Sequence, residues 1–313
     1  MRYLVTGVAG FIGSHLCERL IGAGHAVVGV DNFNAYYPRR LKEENLSAVA
    51  GSTALLLVEA DLGEVNLAPL LDDADGVFHL AGQPGVRLSW GDGFASYLEN
   101  NLWVTQRLLE AVRGRSLPVV CASSSSVYGE TMRRELRESD ALAPVSPYGL
   151  TKLAVEHLAR IYRDEHGIAV TCLRYFTVYG PRQRPDMAFS RFIDAAHVGG
   201  RVRVLGTGLQ TRDFTFVSDV VEATILALGA PAPVYNIGGG QPASVLDVLA
   251  QLGDLLGHPL PVEHHDRASG DVAHTWADTR VARADLGWSP RVGLAEGLAA
   301  QLADRASRME LAG

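Results

Sequence analysis

The chain has 313 residues, 47% hydrophobic and 20% charged, enough to bury an ample core as one large domain or as a nucleotide-binding domain with a smaller companion. A formal net charge of −7 and a pI near 5.8 exclude the electrostatic footprint of a nucleic-acid binder or of a protein held on an anionic membrane. Any phosphorylated ligand has to be held by a few placed arginines and backbone amides.

The first residues, MRYLVTG, run straight into a strand with no leader ahead of them, and no apolar run approaches the ~20 residues that span a bilayer. YLVTG (3–7), AVVGVD (26–31), ALLLVEAD (54–61), GVFHLAG (76–82), PVVCASS (118–124) and AVTCLRY (169–175) are short, apolar and bounded by Gly, Pro or polar residues. They read as buried strands. Between them, SHLCERLIGAG (14–24) and ENNLWVTQRLLEAV (99–112) carry amphipathic helical patterns. Such alternation predicts a parallel sheet covered on both faces, a doubly wound α/β fold. Past residue 180 the rhythm changes: GPRQRPD (180–186) is loop-like, SRFIDAAHVGG (190–200) a short helix, and RVRVLGTG (201–208) a strand and turn. VYNIGG (234–239) is placed to return to the main sheet. Residues 1–180 with a return strand within 213–240 therefore form one domain, and 181–313 a smaller one interleaved with it. The tail from 241 mixes helix with Pro-rich loops. Cys17, Cys121 and Cys172 are far apart, odd in number and set in apolar surroundings, which reads as buried thiols in a reducing, cytoplasmic compartment.

Directly after the first strand comes Gly7-Val8-Ala9-Gly10-Phe11-Ile12-Gly13, with a helix opening at Ser14. Glycines there permit a tight turn, close approach of backbone to a pyrophosphate, and close helix–strand packing, while the helix N-terminus supplies amide donors. The second strand ends at Asp31, 18 residues past Gly13. A carboxylate in that place accepts from a ribose 2′-OH and repels a 2′-phosphate, which favours NAD over NADP. Arg39 and Arg40 follow a Tyr-Tyr-Pro turn and read as part of a solvated loop.

Two further segments carry chemistry. Ser123-Ser124-Ser125-Ser126-Val127-Tyr128-Gly129 lies at the end of the fifth strand, where a doubly wound sheet binds its ligands. In Ser146-Pro147-Tyr148-Gly149-Leu150-Thr151-Lys152, Ser146 is a good N-cap and Pro147 a good first helical residue. Tyr148 and Lys152 then fall at i and i+4 on one helix face. A cation beside a phenol lowers its pKa from ~10 towards neutrality. The phenolate can take a hydroxyl proton while hydride leaves the same carbon for a nicotinamide. Lys152 is one of only two lysines, with Lys42, in a chain whose other fixed cations are arginines, and lysine is the cation whose pKa shifts readily.

On these motifs the chain resembles the extended short-chain dehydrogenases/reductases, in the nucleotide-sugar epimerase/dehydratase group, over essentially its whole length. The resemblance implies a Rossmann sheet with a smaller, mixed C-terminal substrate-binding domain. It implies Ser124, Tyr148 and Lys152 as the catalytic set. The glycine turn with Phe11 and Ile12, then Asp31, Asn32 and Asn34, would hold NAD. Asp61 and Leu62 would contact adenine, and Leu80, Ala81 and Gly82 would line the cofactor. Asn100 or Asn101 would hold the cofactor–substrate region, and Tyr175 would lie against the nicotinamide. Arg212 would bind a nucleotide diphosphate, the alternative being an ion pair with Asp213. Arg267 and Asp271 would lie near a uridine, although Arg267 is one residue off the usual spacing. Helices around 95–113 and 147–165 would pair with a second copy to form a homodimer.

Members of this group share oxidation to a 4-keto sugar and differ in the fate of that ketone. Its dehydratases carry Thr-Asp-Glu before Val-Tyr-Gly, and its decarboxylases place Glu where this chain has Ser126. Ser124-Ser125-Ser126 therefore lacks the groups for either route, and the keto sugar can only be reduced again, which on the opposite face is 4-epimerisation. The runs 31–37, 82–87 and 175–187 together resemble UDP-glucuronate 4-epimerases. A uronate needs its carboxylate recognised. Ser125, Ser126 and Thr177 offer hydroxyls and Arg184 a charge-assisted fork, the alternative for Arg184 being a pair with Asp186. Arg87 is placed at the sugar or diphosphate. The rival readings are a UDP-glucose 4-epimerase, a decarboxylase or dehydratase, and a catalytically silent NAD-binding sensor.

Overall fold

The computed structural model describes residues 1–130 and 135–310. The strands in the first half are β1 (Arg2–Thr6), β2 (Ala26–Asp31), β3 (Leu55–Glu59), β4 (Gly76–His79), β5 (Val119–Ser124), β6 (Glu135–Leu136) and β7 (Val170–Tyr175). They are followed by β8 (Thr177–Tyr179), β9 (Val202–Leu205), β10 (Thr211–Phe216), β11 (Val234–Ile237), β12 (Pro242–Ser244), β13 (Val262–His265) and β14 (Trp276–Ala277). Seven of them form one sheet in the order β11-β7-β5-β4-β1-β2-β3. Every pairing in it is parallel.

Helices α1 (Phe11–Gly22), α2 (Arg39–Asn45), α3 (Ala68–Leu71), α4 (Phe94–Tyr97), α5 (Val104–Val112) and α6 (Pro147–His166) connect the main strands. The later ones are α7 (Ala188–His197), α8 (Val217–Leu226), α9 (Val245–Leu256), α10 (Arg280–Leu286) and α11 (Leu294–Glu310). Side-chain alternation along each strand feeds two cores. Tyr3, Val5, Phe78, Val120 and Leu173 pack with α1 and α8 on one face. Leu4, Val77, Val119, Cys121 and Cys172 pack with α5 and α6 on the other. All three cysteines are buried and unpaired.

Two helices differ from their sequence patterns. α1 begins at Phe11, inside the glycine turn, rather than at Ser14. The stretch expected as one helix over 99–112 starts as a π-helix, Leu98–Trp103, and becomes α-helical at Val104. Within 213–240 only β11 joins the main sheet; β10 belongs to a separate sheet, parallel to β8 and antiparallel to β12. Around that smaller sheet, Tyr179, Phe189, Phe192, Phe214, Val248 and Leu298 build a third core. Among the described residues no helix is long and apolar enough to cross a membrane.

Candidate active site

The strand order reverses between β1 and β4, and a cleft of about 1260 Å³ opens at the carboxyl ends of the strands there. Gly7, Gly10, Phe11, Ile12 and Gly13 line one end. Gly7 has φ +70°, and a Cβ on it would lie 2.8 Å from the Ala81 amide nitrogen. A Cβ on Gly13 would lie 2.1 Å from the Gly7 carbonyl oxygen. The turn thus closes on its own helix with no room for side chains. Gly10 caps α1 without a side-chain acceptor, which leaves first-turn amides open to an anion.

Asp31 ends β2 at the wall of this turn. Its Oδ2 accepts from the Ala9 amide at 3.1 Å and its Oδ1 from the Phe33 amide at 2.9 Å. The buried Lys42 ammonium stands 3.9 Å away and donates to the Asn34 carbonyl and side chain at 3.0 and 2.9 Å. Asn32 donates to Asp61 at 2.8 Å, and Asp61 also accepts from the Gly63 amide at 2.7 Å, beside Leu62. Leu80, Ala81 and Gly82 form the opposite wall. That wall is held by Thr6, which accepts from the Ala81 amide and meets His79 Nδ1 at 2.8 Å. Burial holds the His79 imidazole down to about 3, so it is neutral there. Arg39 is paired with Glu43 and Glu59, and Arg40 with Glu44, on the outer surface.

The two asparagines of the π-helix take different roles. Asn100 lines the cleft, its amide donating to the Ser96 carbonyl at 2.8 Å. Asn101 turns inward, accepting from the Gln83 amide at 2.7 Å and donating to the Gln83 carbonyl and Thr151.

At the centre, Ser146 accepts from the Gly149 amide at 3.1 Å and Pro147 starts α6, a cap of the kind worth about 1 kcal/mol. This helix brings Tyr148 to Ser124, whose hydroxyl also donates to Ser126 at 3.1 Å. Tyr97 packs edge-on to the Tyr148 ring at 6.1 Å. Lys152 donates to the Ala122 carbonyl at 2.9 Å, and burial lowers its pKa to about 8. The Tyr148 phenol is raised by burial, opposed by the Ser124 hydrogen bond and by the charge of Arg184. In this structure burial therefore leaves the phenol raised, and the Lys152 ammonium rests on a carbonyl of β5.

The far end carries the arginines. Arg184 forks onto Asp186 with two bonds of 3.0 Å and lies 5.8 Å from the centre of the Tyr36 ring. It is therefore both paired with Asp186 and inside the cleft, where Ser125, Ser126 and Thr177 also point. Arg212 is not paired with Asp213. Neighbours on β10 point to opposite faces: Arg212 lines the cleft and donates to the Thr211 carbonyl at 2.9 Å. Asp213 is fully buried, accepts from the Gly240 and Ala277 amides at 2.9 Å, and is pushed up to about 6 by burial. Arg87 and Asp271 line the rim, 3.9 Å apart.

One expectation needs correction. Arg267 is not among the lining residues; its guanidinium is spent on Glu130 at 3.0 Å and on the Asp271 carbonyl. Tyr175 presents its ring to the cleft, but its hydroxyl is turned away to Thr224 at 2.8 Å. Several lining residues escaped the sequence reading: Lys42, Gln83, Arg191, Arg203 and Gln210. The rarity that singled out Lys152 applied equally to Lys42. The alternation in RVRV put Val202 and Val204 into the third core and so placed Arg203 on the opposite face.

The model of the NAD dependent epimerase/dehydratase family matches residues 3–238. The uncharacterized UDP-glucose epimerase YtcB of Bacillus subtilis (strain 168) is 43% identical over 308 residues, covering 97% of both chains. The UDP-glucuronate 4-epimerase of Thermodesulfobacterium geofontis (strain OPF15) is 35% identical over 302 residues, covering 95% of this chain and 93% of its own. The crystal structure of the UDP-glucuronic acid 4-epimerase from Bacillus cereus, in complex with UDP-glucuronic acid and NAD, has a TM-score of 0.95 at 41% identity. That match covers 98% of this chain and 100% of the other. With a glycine turn, a Ser/Tyr pair and a lysine in one cleft, and a family match over most of its length, the chain belongs to the NAD dependent epimerase/dehydratase family.

Proposed function

We propose that the protein is an isomerase that inverts C4 of UDP-glucuronate through a 4-keto sugar, giving UDP-galacturonate. The observation that carries this reading is Arg184, a largely buried guanidinium whose charge is felt at Tyr148. In this reading it meets the substituent next to the reacting carbon. The Bacillus cereus relative binds UDP-glucuronic acid and NAD.

The first end of the cleft fits NAD, since Gly7 and Gly13 leave backbone bare for a pyrophosphate and Asp31 faces the ribose position. Bound there, the nicotinamide supplies the acceptor and donor of hydride for C4. Asp61 and Leu62 flank the adenine, and Asn100 and the Tyr175 ring bound the nicotinamide end. Tyr148 takes the C4 hydroxyl proton, Ser124 holds the phenolic and sugar oxygens, and Lys152 supplies the positive charge behind them. Arg212, with Arg87 at the rim, anchors the diphosphate while the hexose turns to present its other face, and Asp271 lies towards the uridine. Ser125, Ser126, Thr177 and Arg184 hold the carboxylate. Oxidised at C4, the substrate is a β-keto acid, and it loses CO2 readily only with its C5–carboxylate bond perpendicular to the carbonyl plane. The same four residues hold that bond away from the perpendicular.

One observation favours a neutral sugar instead: the Arg184–Asp186 pair already satisfies the guanidinium. A UDP-glucose 4-epimerase would use the same catalytic set. A homodimer through the helices at 94–112 and 147–166 accounts for the exposed Leu98, Trp103, Leu150 and Ile161. Three buried thiols and a net charge of −7 suit a cytoplasmic enzyme without nucleic-acid or membrane partners.

The deciding experiment is incubation of purified protein with UDP-glucuronate, followed by proton NMR. UDP-galacturonate formed without added NAD is the expected result. A pentose product would overturn the carboxylate reading, and turnover of UDP-glucose alone would move the protein to the neutral-sugar reading.

A further inference from the structure

The segment from Gly180 to Met187 has neither strand nor helix of its own, yet it carries Arg184. Its backbone takes φ +136° at Gly180 and +63° at Arg182, the latter uncommon for a residue with a side chain and helped by support from its surroundings. Those surroundings come from α11, more than a hundred residues away. Gln301 Oε1 accepts from the Gly180 amide at 2.9 Å, and Gln301 Nε2 donates to Gln183 Oε1 at 2.8 Å. Gln183 is tied in turn to the Val178 carbonyl at 3.1 Å and to the Ser190 amide at 3.1 Å. One turn further along α11, Asp304 accepts from the Arg182 amide at 2.9 Å. Gln183 and Gln301 are 6% and 2% exposed, so loss of either partner strands a buried amide.

Front and back of the segment thus divide. Thr177 and Arg184 face the cleft, while Gly180, Arg182 and Gln183 are held from behind by one helix. The glycine-turn helix reaches the segment separately, through His15 on the Pro181 carbonyl at 2.9 Å and Glu18 on Arg182 at 2.5 Å. Gln301 and Asp304 themselves line no part of the cleft.

We infer that Gln301 and Asp304 are positioning residues that set the preference for a uronate by fixing the segment that aims Arg184 at the sugar carboxylate. The inference rests on the proposed role of Arg184 as the carboxylate's partner. A guanidinium fork rewards a carboxylate only in a narrow range of directions. A slack segment therefore weakens uronate binding and frees the carboxylate to rotate, without touching Ser124, Tyr148 or Lys152.

The test compares Arg184→Ala, Gln301→Met and Asp304→Ala in the full chain, reading KM and kcat for UDP-glucuronate, bound NAD, and the share of pentose by-product. Gln301→Met is expected to raise KM about tenfold and Asp304→Ala about threefold, each with less than about a threefold change in kcat. The pentose share rises and bound NAD stays at the wild-type level. Asp304→Asn keeps an oxygen for the Arg182 amide and restores wild-type behaviour. If Gln301→Met fails to fold, Asp304→Ala and its Asn rescue carry the test. Variants that lose thermal stability but keep KM and pentose share, beside an Arg184→Ala that raises both, overturn the inference and leave the Arg184 reading intact. An Arg184→Ala that itself leaves KM and pentose share unchanged removes that reading and the inference with it.

Discussion

At the cofactor end, the cleft walls come mainly from strand ends and turns within the first 82 residues, and much of what they present is backbone. The sugar end is gathered from segments spread between Gln83 and Asp271, and what it presents is side chains on loops and short strands. A Cβ on Gly13 would meet a carbonyl oxygen at 2.1 Å, so the first end is defined by what it lacks. Arg184, Arg212 and Arg87 instead reach into the second end from separate segments, and a single exchange alters one contact without disturbing the sheet. One end can stay constant while the other changes its ligand.

The largest expected effect breaks the first end. Gly13→Ala drives a methyl into the Gly7 carbonyl, at a cost of about 2 kcal/mol in fold stability. The purified variant is expected to lack bound NAD, seen in its absorbance spectrum, and to be inactive unless NAD is added. Retention of the cofactor would mean that the turn yields and that this end is less rigid than its geometry implies.

A smaller effect is expected at the other end. Arg212→Ala removes a charge-assisted contact and should raise KM for the UDP-sugar about tenfold with little change in kcat. Bound NAD is the control, and its loss would show that the two ends are coupled.

The smallest effect lies between them. Lys152 falls to about 8 in the folded chain from its usual 10.5, so its charge is present below pH 8 and lost as pH rises through that value. Turnover that depends on the ammonium should decline several-fold from pH 8 to pH 9. Stability moves the other way. Between about pH 8 and 10.5 the unfolded chain holds the proton and the folded chain does not, so stability rises with pH in that window. Melting curves of wild type and Lys152→Met across pH 7–10 should diverge there; parallel curves would place the folded pKa of Lys152 near its ordinary value.

The main sheet was legible because each strand is a short apolar run whose alternating side chains feed both faces, a local property of the chain. The glycine turn, Asp31, and the i, i+4 spacing of Tyr148 and Lys152 were legible for the same reason, since backbone geometry over a few residues places them. Tertiary structure decided what depends on distant partners. It gave Asn101 to Gln83 and left Asn100 at the cleft. Arg212 was separated from Asp213 by strand pleat, and Arg267 was spent on Glu130. The Tyr175 hydroxyl was turned to Thr224, and the Lys152 ammonium was seated on the Ala122 carbonyl. Hydrophobic periodicity records which face of an element is buried, and so it specifies the layers of the fold. A polar side chain's partner is set by where other segments arrive after folding, and no local pattern encodes that arrival.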